Sequence, residues 1–100
     1  MDRARSTYLA ETYVEGLQSA AVDALDLRVR AAVDAVRADG CEVDWVGSLA
    51  APEEETYSFL VLCGRSDDVA RVGAAAALRV DHVTVVLVAG RPWDGGRLGR

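Results

Sequence analysis

The single histidine of the chain, His82, directly follows Asp81 at the entrance to a β-branched run. An imidazole beside a carboxylate can serve as a general base or a metal ligand, with the acid orienting the ring. Neighbouring residues of a strand point to opposite faces, however, which works against that particular dyad. Glu11 shares a strand face with Leu9 and Tyr13 and is the second acid/base candidate, since a carboxyl set in a pocket is suited to proton transfer. Tyr8, Trp45, Tyr57 and Phe59 are the aromatics available either to line an apolar ligand pocket or to fill a core. If a divalent transition metal binds, His82, Cys63 and Glu11 are its candidate donors.

Other clusters lack the spacing that chemistry requires. Glu53-Glu54-Glu55 are consecutive acids that cannot all converge on one ion, so they read as a solvated hairpin tip. Cys41 and Cys63 stand apart in apolar, β-type surroundings without a metal-knuckle spacing. They read as two buried small hydrophobes in a reduced protein, and no disulfide is expected. The chain contains no G-x-S-x-G, H-E-x-x-H or C-x-x-C. No glycine-rich phosphate loop follows a strand.

The elements that must position these residues follow from hydrophobic periodicity. Thr7 to Val14 is rich in β-branched and aromatic residues and ends at Glu15-Gly16, which reads as a first strand and turn. From Ser19, Val22, Leu25, Val29, Ala32, Val33 and Val36 recur at three- and four-residue steps, predicting an amphipathic helix that stops at Asp39-Gly40. Cys41, Val43, Trp45, Gly47 and Leu49 then alternate with Glu42, Asp44, Val46 and Ser48, the pattern of a half-buried strand with a single phase. After the break at Pro52, Thr56 to Cys63 forms the second arm of a hairpin. Tyr57, Phe59, Val61 and Cys63 share one of its faces, and Leu60 and Leu62 make the other face apolar too. Ser66, as N-cap, and Asp67-Asp68 open a second helix, which Gly73 weakens. Val83 to Val88 is a final strand, too apolar for a one-sided surface position.

The order is strand, helix, strand, strand, helix, strand, so the fold class is α+β. It is a ferredoxin-like βαββαβ sandwich, a four-stranded antiparallel sheet with two helices on one face. Residues 1–6 read as a flexible leader, 7–89 as the domain and 90–100 as a flexible C-terminal tail. Two helices cover only one side of such a sheet. The apolar second face calls for another partner, and the simplest is the same sheet of a second copy, giving a homodimeric α+β barrel.

Composition bounds the rest. With 16 Asp plus Glu against 11 Arg and no Lys, the net charge of −5 argues against a nucleic-acid partner, which needs many phosphates neutralised. Neither a membrane-spanning stretch nor a signal-type apolar segment stands in the sequence, so no membrane partner and a cytoplasmic location are expected. The missing Ile, Lys and Asn point to GC-rich coding DNA rather than to mechanism.

Several short segments together resemble the DUF4242 family. They are Tyr8-Leu9-Ala10-Glu11 followed by Gly16-Leu17, Val43-Asp44-Trp45-Val46-Gly47-Ser48 before the acidic hairpin, Tyr57-Ser58-Phe59-Leu60, and Val80-Asp81-His82-Val83. The resemblance spans about Thr7 to Val88, with Thr12 standing where members typically carry Arg. It implies a ferredoxin-like unit that pairs into a dimer, in a family that includes small nickel-binding proteins. The expected function is therefore a homodimer binding a small ligand or a nickel-type metal ion. The alternative is a cofactor-independent isomerase, cyclase or monooxygenase, as found among proteins resembling this dimeric barrel, with Glu11 or His82 moving the proton. A purely structural or regulatory dimer is the third reading.

Overall fold

The computed structural model describes residues 4–87. The start of the expected leader and the tail expected from residue 90 lie outside the described residues. The element order is β1 (Ser6–Tyr13), α1 (Ser19–Ala38), β2 (Val43–Ala51), a single 3-10 turn (Pro52–Glu54), β3 (Thr56–Cys63), α2 (Ser66–Ala75) and β4 (His82–Val86). The strands form one sheet in the order β2-β3-β1-β4, each neighbouring pair antiparallel. α1 therefore carries the chain from β1 over β3 to β2, and α2 carries it from β3 over β1 to β4. These interlocked crossovers are the split βαβ arrangement expected from the sequence.

Periodicity explains the core. The predicted stripe of α1, Val22, Leu25, Val29, Ala32, Val33 and Val36, is buried in full. It packs with Val69 and Val72 of α2 on the sheet face formed by Ala10, Val43, Tyr57, Phe59, Val61 and Cys63. Each large apolar side chain so buried contributes about 1.5–3 kcal/mol. α1 has neither a capping side chain nor an acid in its first turn, so packing rather than end chemistry holds it. Its exit is set by Gly40, whose φ of +99° lies in the left-handed region that a side chain disfavours. That turn brings Cys41 to Asp44 back along the end of the helix.

Three local expectations are corrected. β2 does not keep a single phase: Trp45 pairs with Val61 and Gly47 with Leu60, leaving Val46 as a bulge. One extra residue flips every later side chain. Val43 and Trp45 face the helices, but beyond the bulge Ser48 and Ala50 take over that face, and Gly47 and Leu49 turn away. In α2, Arg65 rather than Ser66 is the N-cap, with extended backbone and no capping side-chain hydrogen bond, while Asp67 and Asp68 do occupy the first turn. Finally, β4 is a short edge strand paired only with β1, and most of it is exposed despite its composition, Val85 being 58% accessible. Among the described residues no helix is long and apolar enough to cross a membrane.

Candidate functional site

The register across three strands decides where the candidate residues meet. Ala10 and Thr12 are buried on the helix side of β1, so Glu11 between them points to the opposite face, the one that neither helix covers. Opposite Glu11 on β4 stands His82, and opposite it on β3 stands Ser58. Directly paired residues hold their Cβ atoms about 4.5–5.5 Å apart, so Ser58, Glu11 and His82 form one continuous polar row on the uncovered face. Among the described residues none of the three spends its side chain on another hydrogen bond or ion pair. The next row along the same face is Gly47, Leu60, Leu9 and Thr84, and Leu49 extends the Ser58 row onto β2. The surroundings are thus apolar on one side of the polar row. They are closed on the other by Tyr13 and Thr56, themselves paired.

Asp81 does not orient His82. Its N–H donates to the Glu11 carbonyl at 2.8 Å, and its Oδ2 accepts from the Tyr13 N–H at 2.8 Å. Its Oδ1 lies 3.3 Å from Arg79 Nε. The carboxylate therefore pins the start of β4 to β1, and the acid that faces the imidazole is Glu11, contributed by another strand. Sequence neighbours within one strand diverge, whereas cross-strand partners share a face, so this pair depends on register and not on adjacency.

Glu55 also departs from the solvated-tip expectation. Its Oε2 accepts from the Gly16 N–H at 2.6 Å and its Oε1 from the Tyr13 hydroxyl at 2.7 Å. Its carbonyl accepts from the Val14 N–H at 2.7 Å. The Gly16 N–H, with help from the Tyr13 hydroxyl, holds the Glu55 carboxyl below the usual carboxylate range. The same contact pushes the Tyr13 phenol above its usual range. This clamp fixes Tyr13 at the border of the polar row. Glu55 itself sits at a φ of +55°, a strained setting for a non-glycine residue that the three bonds sustain.

The aromatic pocket expected from Tyr8, Trp45, Tyr57 and Phe59 is corrected as well. All four lie on the helix-facing side, because Tyr8, Val61 and Trp45 are in one register row and Tyr57 and Phe59 alternate with Ser58. Tyr57 and Phe59 are wholly buried core, and the Tyr57 hydroxyl donates to Asp26 Oδ1 of α1 at 2.7 Å. Trp45 lies beneath the Arg30 guanidinium, 5.6 Å from its ring centroid. None of the four can wall a pocket around Glu11 and His82.

Cys63 is likewise separated from His82. It is buried on the helix side opposite Ser6, with Sγ donating to the Arg65 carbonyl at 3.3 Å, and burial pushes its thiol up. His82 belongs to the other face and to the other end of the strands, so one chain cannot bring both onto one ion. Among the described residues no three His, Cys, Asp or Glu side chains gather as a metal-binding group. A nickel-type ion is thus a poor fit to one chain: among the described residues the Glu11 carboxylate and the His82 imidazole are the donors that register brings together on the uncovered face, and Asp44, on the same face at the far end, is held by Arg5 and Arg37. Cys41 and Cys63 are both free thiols even though β2 and β3 are neighbours.

No family model matches the chain, and no curated protein matches it. Its fold is similar to the crystal structure of SCO4226 from Streptomyces coelicolor A3(2), with a TM-score of 0.68 and 16% sequence identity. That likeness covers 85% of this chain and 100% of the other. At such identity it establishes the ferredoxin-like α+β fold.

Proposed function

We propose that this protein is a cytoplasmic homodimer in which mated sheet faces enclose a small-ligand site at Glu11 and His82. One observation carries the reading: the only imidazole of the chain stands in register with a carboxylate on the face that the helices leave bare. Leu9, half-buried, and Leu49, 39% exposed, are the apolar side chains that reach the surface of that face beside the polar row, while Leu60 and Ser58 are already buried within the single chain. A ligand held there would meet a hydrogen-bonding edge and an apolar bed together, the usual make-up of a small-molecule site. The resemblance to a family with nickel-binding members extends the proposal to a transition metal. In that case each copy would bring one Glu11 and one His82, so the ion would require the dimer.

A second reading, acid/base catalysis without a cofactor, is supported by Ser58. A serine, a carboxylate and an imidazole in consecutive cross-strand positions can bind a polar group, orient a ring and move a proton. The experiment for both readings is ligand-observed NMR with a library of aromatic ketones and carboxylates, alongside calorimetry with Ni²⁺. Hits lost in Glu11→Gln and His82→Gln support the site. Hits that survive both substitutions contradict it, and Ni²⁺ heat unchanged by His82→Gln contradicts the metal extension.

A further inference from the structure

At the opposite end of the sheet, three elements converge on one carboxylate. Arg5, just before β1, places Nη1 at 2.8 Å from Asp44 Oδ2, and Arg37, in the last turn of α1, places Nη1 at 2.6 Å from Oδ1. Each guanidinium carries five N–H donors and spends one on Asp44, so most of the donor capacity of both remains unspent. The trio bears a net charge of +1. Arg5, Arg37 and Asp44 line an open cleft of about 690 Å³ together with Gly40, Cys41, Glu42 and Val43, a size within the usual range for small-molecule sites.

Glu42 gives the cleft its second pole. It stands two positions before Asp44, at the entrance to β2, and lines the same cleft. Among the described residues its carboxylate takes part in no hydrogen bond or ion pair. A simple anion would meet unspent guanidinium donors but be repelled by Glu42. A simple cation would meet Glu42 but face the positive trio. A ligand that carries an ammonium and a carboxylate on one carbon answers both poles.

We propose that this cleft binds a free α-amino acid, with its carboxylate on Arg5 and Arg37 and its ammonium on Glu42. Asp44 acts as the positioning residue that holds the two guanidiniums side by side. The site is separate from the Glu11 and His82 row and does not rest on it.

The test titrates the full chain with each of the twenty standard L-amino acids by saturation-transfer NMR. The best binder is then compared with its two halves, the acid lacking the amino group and the amine lacking the carboxylate. The zwitterion should bind more tightly than either half. Glu42→Gln should weaken it about five-fold while leaving the acid unchanged or tighter, the size of one exposed charge pair. Arg37→Gln should weaken zwitterion and acid alike by about tenfold or more, as loss of a charge-assisted contact does. Because Glu42 is exposed and takes part in no hydrogen bond or ion pair among the described residues, Glu42→Gln keeps the test valid should Arg37→Gln loosen the fold. No amino acid binding at a Kd of about 1 mM or tighter overturns the proposal. So does an acid half that matches the zwitterion, or a zwitterion indifferent to Glu42→Gln.

Discussion

Replacing Gly73 by alanine separates two opposing effects whose sizes can be set side by side. In an open helix the change would stabilise by about 0.8–1.0 kcal/mol through backbone propensity. Here a Cβ at position 73 would stand 2.7 Å from Val80 Cγ2 and 3.5 Å from the Leu78 carbonyl oxygen. Val80 is packed against the core and its branched side chain has little χ1 freedom, so the methyl must move by about an ångström or the helix must shift. Overpacking of this kind costs about 1–3 kcal/mol. The overlap therefore wins, and Gly73→Ala should destabilise by about 1 kcal/mol, a Tm loss of about 4–8 °C for a domain of this size. With Val80→Ala already in place the clashing methyl is gone, and the same substitution should now raise stability by up to about 1 kcal/mol. The assay is thermal and urea unfolding of the four proteins of the cycle at one fixed concentration, since a dimer couples stability to protomer concentration. A Gly73→Ala variant more stable than the parent, or one equally affected in both backgrounds, refutes the reasoning.

The remaining predictions concern titration and thiol access. The folded Glu55 carboxyl is held low, so its stabilising contribution is present above the usual carboxylate range and is lost as pH falls through its folded value. The Tyr13 phenol is held high, so its contribution is present below the usual phenol range and fades as pH rises through the folded value. Glu55→Gln should therefore flatten the Tm profile at both the acid and the alkaline ends, and profiles that run parallel to the parent's contradict the clamp. In native protein treated with iodoacetamide, mass spectrometry should find Cys41 modified first and Cys63 only on unfolding, because burial shields the latter and disfavours its thiolate. Equal labelling of the two would count against the core position of Cys63.

Much of this fold was legible because α1 and β3 obey their periods. The α1 stripe needed only a 3.6-residue repeat, and the Tyr57, Phe59, Val61 and Cys63 face needed only a two-residue one. β2 resisted because a bulge at Val46 is a pairing event with β3, invisible in β2 alone. For the same reason the site was only half legible. Glu11 and His82 stood out as isolated chemistry in apolar strands, but their juxtaposition depends on how β1 pairs with β4. Ser58 gave no signal in a strand whose neighbours are all hydrophobic, and its place beside Glu11 comes from register alone. Glu55 was hidden among three identical side chains, only one of which turns back onto Tyr13 and Gly16. The aromatics misled because large apolar residues satisfy a core and a pocket equally well, and strand phase alone assigns them to the helix side.

The central claim is that the bare sheet face, with Glu11 and His82 at its polar row, is covered by a second copy. Isotope-filtered NOE spectroscopy on an equal mixture of ¹³C-labelled and unlabelled protein tests it in a single spectrum. A covered face gives intermolecular contacts to the Leu9 and Leu49 methyls and to the His82 ring. Intermolecular contacts confined to the helix surfaces, or none in a sample sedimenting at 10.6 kDa, would contradict it.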